Sequence, residues 1–167
     1  ADITIDTSKA KLELSGKEAG IKADGHQVSI TGSTVITGED AISASNGGKV
    51  TLNGMTDIKA GGEDGTAISV AGKDSKVAIT GHAAASITGA VYVAGGNLTV
   101  DTSGATTTMK GDVLVDGGKA DITLGDKAST LEGNLSVGNN GQLTLNVTNE
   151  AKATGSYITG DGTLTMN

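Results

Sequence analysis

A chain of 167 residues with 27 glycines, two tyrosines and no phenylalanine, tryptophan, proline or cysteine is long enough for one domain, but it lacks the large aromatics on which a globular core leans. The lack of cysteine excludes disulfide staples, thiolate metal sites and thiol chemistry. A net charge of −7 disfavours nucleic acid and anionic membrane surfaces, which select clusters of cationic side chains, and no run approaches the roughly 20 apolar residues needed to cross a bilayer.

The chain opens at Ala1 without an initiator methionine and reads as a processed or excised piece of a longer protein. Ile3 and Ile5 alternate with Thr4, and Leu12 and Leu14 with Glu13. Gly20-Ile21-Lys22-Ala23 then leads to an Asp24-Gly25 turn, after which Val28-Ser29-Ile30 starts the pattern again. One circuit therefore contains three short strands.

The circuit repeats, most regularly in GAVYVAGGNLTV from Gly89, GDVLVDGGKADITL from Gly111 and GNLSVGNNGQLTL from Gly133. Val91, Val113, Leu135 and Tyr157 stand 22 residues apart, as do Ile87, Met109, Leu131 and Ala153. Such a period marks a stack of units rather than a single globular core. Alternation places one side of each strand inward.

The strand after each glycine turn contributes the inward pairs Ile3/Ile5, Val28/Ile30, Val50/Leu52, Val77/Ile79, Leu98/Val100, Ile122/Leu124, Leu143/Leu145 and Leu164/Met166. The next strand contributes Leu14, Ile36, Ile58, Ile87, Met109, Leu131 and Ala153. The third contributes Ile21/Ala23, Ile42/Ala44, Ile68/Val70, Val91/Val93, Val113/Val115 and Leu135/Val137. Gly and Asn at the turn before each new circuit accept positive φ at little cost, which points to one repeated corner. About seven coils at the spacing of neighbouring strands make a rod about 35 Å long.

The outward residues are where a function would lie. A threonine-rich column, Thr4, Ser29, Thr51, Ala78, Thr99, Thr123, Thr144 and Thr165, has the layout of an ice-binding face. The column beside it, Lys49, Lys76, Asn97, Asp121 and Gln142, is charged and uneven. On the third strand the outward positions are Ser43, Ser69, Tyr92, Leu114 and Ser136, so Tyr92 and Leu114 fall on adjacent coils as exposed apolar neighbours. Such a pair suits a lateral contact. Ile158 joins that column if Tyr157 points inward.

Asp112, Asp116, Asp121 and Asp126 crowd one coil, and stacked carboxylates on a β-helix can bind calcium or act on polysaccharide. The tandem glycine-rich nonapeptides of calcium solenoids are absent, as are an arginine clamp and an aromatic platform to hold a sugar. These aspartates read as solvated turn and edge residues. His26 and His82 occupy unrelated positions of different coils and do not suggest a metal pair. No catalytic, cofactor-binding or metal-binding residue is assigned.

Copies such as GDVLVDGGKADITL and GNLSVGNNGQLTLNVTNEAKATG resemble the passenger regions of bacterial autotransporters and related surface adhesins, over nearly the whole chain from Ile21 onward. The resemblance implies a right-handed parallel β-helix, a bacterial cell-surface or secreted location, and a parent with a signal peptide and an outer-membrane barrel. Proteases and esterases of that group carry their chemistry in separate motifs, and no GxSxG occurs here.

The expectation is therefore an all-β, right-handed parallel β-solenoid with three strands per coil, forming a single segment over residues 1–167. Its expected function is structural or adhesive, as in aggregation, biofilm formation or host adhesion. The expected partners are other copies of itself or host and cell-surface ligands; nucleic acid and membrane insertion are not expected. Two alternatives stand beside this reading: a fragment of a polysaccharide-acting β-helix enzyme, and an ice-binding solenoid.

Overall fold

The computed structural model describes residues 2–62, 64–148 and 150–167. In chain order, β1 (Ile3–Ser15) and β2 (Ala19–Asp24) form the first coil, and β3 (Gln27–Gly38) and β4 (Asp40–Ser45) the second. Three strands form each coil thereafter. The third has β5 (Lys49–Asn53), β6 (Thr56–Ala60) and β7 (Thr66–Ala71), and the fourth β8 (Lys76–Thr80), β9 (Ala85–Thr88) and β10 (Ala90–Ala94). The fifth has β11 (Asn97–Asp101), β12 (Thr107–Lys110) and β13 (Val113–Asp116), and the sixth β14 (Lys119–Leu124), β15 (Thr130–Glu132) and β16 (Leu135–Gly138). The seventh has β17 (Gln142–Val147), β18 (Lys152–Thr154) and β19 (Tyr157–Thr159), and β20 (Thr163–Met166) opens one more turn.

Every named ladder is parallel and joins one coil to the next, so the chain is an all-β parallel solenoid of about seven turns of about 22 residues. Its first face stacks the leading half of β1 and of β3 with β5, β8, β11, β14, β17 and β20. The second face stacks their trailing halves with β6, β9, β12, β15 and β18. The third face is β2-β4-β7-β10-β13-β16-β19.

In the first two coils the leading and second strands run on as one bent strand, where the sequence predicts two. Gly32, at φ 114°, bends β3 around the corner. In β1 the pairing jumps from Thr7↔Gly32 to Leu12↔Thr34, so Ser8, Lys9, Ala10 and Lys11 bulge out opposite the single residue Ser33.

Inward columns fill the interior. Ile36, Ile58, Ile87, Met109 and Leu131 stack along the second face and are no more than 2 % exposed. Each such side chain contributes about 1.5–3 kcal/mol by leaving water. Beside them runs a column of small buried residues, Thr34, Thr56, Ala85, Thr107, Ser129 and Ala151, which lets the wall turn without leaving a void. Its hydroxyls are satisfied within the wall: Thr102 and Thr107 share a hydrogen bond of 3.0 Å, and Ser129 Oγ accepts the Thr107 and Asp126 amides at 2.9 and 3.2 Å.

One strand differs from the expected register. Leu98 and Val100 lie opposite Ala120 and Ile122, and these lie opposite Leu143 and Leu145, so the inward pair of that coil is Ala120/Ile122 with Leu124 as a third buried residue. The small Ala120 carries little hydropathy, and the bulkier Ile122/Leu124 pair masks it in the sequence. This two-residue shift changes two outward columns: Asp121, not Thr123, faces Thr99, and Lys119, not Asp121, faces Asn97.

The corner between the third and first faces varies on one theme. Two successive residues have positive φ at Asn46-Gly47, Gly117-Gly118 and Asn139-Asn140, whereas Gly25, Gly72 and Gly95 turn their coils with one. The corner between the second and third faces is tighter. Gly89, Gly111, Gly133 and Gly155 stack there on successive coils, and an added Cβ at Gly111, Gly133 or Gly155 would lie 2.2, 2.0 or 1.9 Å from the carbonyl oxygen of the glycine before it. No side chain fits that column.

Candidate lateral contact surface

The third face is the one on which sequence alternation placed Tyr92 and Leu114. Val91 and Val93 of β10, and Val113 and Val115 of β13, point inward and are at most 2 % exposed, which turns the residue between each pair outward. The register sets Tyr92 directly opposite Leu114, with Ser69 on one side and Ser136 on the other. Tyr92 is 37 % and Leu114 40 % exposed. The full column reads Lys22, Ser43, Ser69, Tyr92, Leu114, Ser136, Ile158.

Ile158 belongs to this column because Tyr157 pairs with inward-facing Leu135. Tyr157 nevertheless keeps 40 % of its surface exposed and Ile158 62 %, since both lie in the last complete coil. Ser136 separates Ile158 from Leu114, so the apolar surface is a pair with an outlier two coils away.

A polar fringe runs beside the pair. The Tyr92 hydroxyl lies 3.5 Å from Asp116 Oδ2, and the other oxygen of Asp116 accepts a close hydrogen bond from the Asn139 side-chain amide. Asp161 Oδ1 accepts the Asn139 backbone amide at 2.5 Å. A chain of inter-coil bonds thus runs beside the column from Tyr92 toward the last coil.

The four aspartates of the fifth and sixth coils do not converge. Asp112 precedes β13 and Asp116 ends it on the third face, Asp121 lies on the first face, and Asp126 follows β14 at the corner. Each has a bonded task. Asp112 Oδ1 accepts the Asn134 backbone amide at 2.9 Å, and Asn134 Oδ1 in turn accepts that of Ser156 at 3.0 Å, one side chain per coil capping the next. Asp121 Oδ1 takes the Asn146 amide at 3.1 Å.

Asp126 receives the Thr106 hydroxyl at 2.6 Å and the Ser129 hydroxyl at 2.8 Å. These bonds, the Thr106 one foremost, hold its carboxyl below its ordinary value. Among the described residues no group of three or more His, Asp or Glu side chains is placed to hold a metal ion.

The threonine column of the first face reads Thr4, Ser29, Thr51, Ala78, Thr99, Asp121, Thr144 and Thr165. Ala78 and the carboxylate of Asp121 interrupt it.

The class that fold and surface define is the three-faced parallel β-solenoid, a rod whose side chains are sorted into columns. Comparisons with protein-family models, with curated proteins and with solved structures return no match to this chain.

Proposed function

We propose that the chain is a non-catalytic rod from a secreted or cell-surface bacterial protein, with a structural and adhesive role, and that its third face associates with a second copy of itself. The observation that carries this reading is the Tyr92–Leu114 pair, set side by side by register and well exposed, amid serines. Tyrosine beside an aliphatic neighbour is the kind of anchor around which contact energy concentrates. A stable contact buries about 1,000 Å² or more, so the flanking serines and Ile158 would contribute area while the pair contributes most of the energy.

The resemblance of the glycine-, asparagine- and threonine-rich repeats to autotransporter passenger regions supports the surface location. The bonded tasks of Asp112, Asp116, Asp121 and Asp126 support the non-catalytic reading, because carboxylates spread over two faces and a corner do not form an acid–base pair.

Sedimentation velocity over a wide concentration range tests the proposal, run on the protein, on Leu114→Asp and on a variant capped at both ends of the rod. Association that disappears in Leu114→Asp and survives capping is the expected result. Association lost only on capping would replace the lateral face with end-to-end stacking through the exposed Ile3 and Met166 ends. A monomer at every concentration would leave a passive stalk.

A further inference from the structure

The shifted register of β14 changes the character of the first face. Its leading outward column reads Gln27, Lys49, Lys76, Asn97, Lys119 and Gln142 over six successive coils, and all six residues are exposed. Every one ends in nitrogen donors, in a protein whose net charge is −7. One coil before Gln27, Asp2 places a carboxylate at the head of the column, where its Oδ1 accepts the Gln27 backbone amide at 2.9 Å.

Lys49 and Lys76 stand directly opposite each other on neighbouring strands, about 4.8 Å apart. Like charges so placed destabilise a sheet. None of Lys49, Lys76 and Lys119 forms an ion pair among the described residues. Asn97, shorter than the lysines on either side, leaves a hollow of about 260 Å³ lined by Lys76, Asn97, Leu98, Thr99, Lys119 and Asp121. The column is thus a line of positive charge with a notch in it, and the Asp121 carboxylate lines that notch.

We propose that this column binds a linear acidic polysaccharide, laid along the rod axis. Sugar carboxylates lie against Lys49, Lys76 and Lys119. Hydroxyls between them meet the amides of Asn97 and Gln142 and the hydroxyls of Thr51 and Thr99 in the adjoining column.

The shape of the charge selects this ligand. The basic feature is one column wide, and Asp101 and Asp121 share its face, so a bilayer or a duplex pressed against that face would meet its own charge. A single narrow chain along the lysines clears Asp101 and meets Asp121 only where that residue lines the notch. Both tyrosines lie on the third face, so bases of single-stranded nucleic acid would find no aromatic ring on which to stack. A sugar ring likewise finds no stacking platform, so binding rests on charge, and neutral glycans are excluded. The net negative charge of the whole protein does not cancel the column, because exposed charges farther away than about 8 Å are screened at physiological salt.

This site and the Tyr92–Leu114 pair occupy different faces, so each stands or falls alone. The test is calorimetric titration of the full chain with a polygalacturonate oligosaccharide long enough to cover six coils. Saturable binding is expected, weakening with added salt. The double variant Lys76→Gln/Lys119→Gln should bind about tenfold more weakly, the scale of two exposed charge-assisted contacts. Lys22→Gln/Lys59→Gln, with the same net charge but changed on the other two faces, should bind as the parent does.

No binding at low salt would overturn the proposal, as would equal weakening in both double variants. Equal binding of neutral dextran, or tighter binding of single-stranded DNA or phosphatidylserine vesicles, would also overturn it.

Discussion

Gly133 sits one coil beyond Gly111, so close that a Cβ at Gly133 would lie 2.0 Å from the Gly111 carbonyl oxygen. The corner between the second and third faces is therefore backbone against backbone, and the coil spacing there leaves no room for a methyl group. Gly133→Ala is expected to lose about 2–4 kcal/mol, from steric conflict together with a φ of 156°. Gly47→Ala is the comparison: φ is 80° but nothing lies within 4 Å of the added Cβ, so the loss should stay near 1 kcal/mol. Urea midpoints measure both, and equal losses would refute the packed-corner account.

Position along the rod should govern the cost of losing a core side chain. Ile87, 1 % exposed, has neighbours on the coils both before and after it, and Ile87→Ala should cost about 2–5 kcal/mol. Leu164, only partly buried in the last strand, pairs on one side alone, and Leu164→Ala should cost about 1 kcal/mol. Denaturant unfolding with a core-reporting signal distinguishes them. Similar costs would mean that the rod unfolds without regard to coil order.

Much of this architecture was legible in the sequence because side-chain size and alternation record it directly. The second-face column from Leu14 to Ala153 and the third-face pairs from Ile21/Ala23 to Leu135/Val137 stand in the structure as alternation and strand order predict, through connections of unequal length such as the one between Ile58 and Ile87. Tyr92 and Leu114 follow from the same alternation. In β14, three inward residues in a row allow two readings by apolarity, and only pairing with Leu98 and Leu143 selects Ala120/Ile122. The buried column of Thr34, Thr56, Thr107 and Ser129 was missed because hydroxyl residues resemble surface ones. Its signal was position, two residues before each inward Ile, Met or Leu of the second face.

Ser129 gives that missed column a measurable weight. It is fully buried, and its hydroxyl accepts two backbone amides while donating to Asp126. Ser129→Ala strands the amides of Thr107 and Asp126 inside the wall, at a cost of about 1–3 kcal/mol. A neutral effect on the urea midpoint would show that the corner relaxes to satisfy them otherwise. Ser136→Ala, on the exposed side of the third face, should change stability by less than about 0.5 kcal/mol.

Acid should weaken the same corner. The carboxyl of Asp126 is held below its ordinary value of 3.8, chiefly by the Thr106 hydroxyl and then by that of Ser129. A carboxyl lowered in the folded state contributes stability that is present above the unfolded value and is lost as pH falls below it toward the folded one. Thermal midpoints recorded from neutral pH to below 3.8 should therefore drop less steeply for Asp126→Asn than for the parent. Asp6, lowered mainly by the Ser8 backbone amide, adds a dependence of the same sign that both proteins share. Parallel curves would remove Asp126 from the acid response.

Each coil stores about 22 residues in about 4.8 Å of rod, yet as extended chain the same residues would span roughly 75 Å. A tether anchored at one end and pulled at the other would load the ladders one at a time, as a zipper does, because the strands lie across the axis. Release of a single coil would lengthen the molecule by about fifteen times the height that the coil occupied. Under tension such a segment would act as a length reserve, yielding in steps while the coils still stacked keep their columns in register.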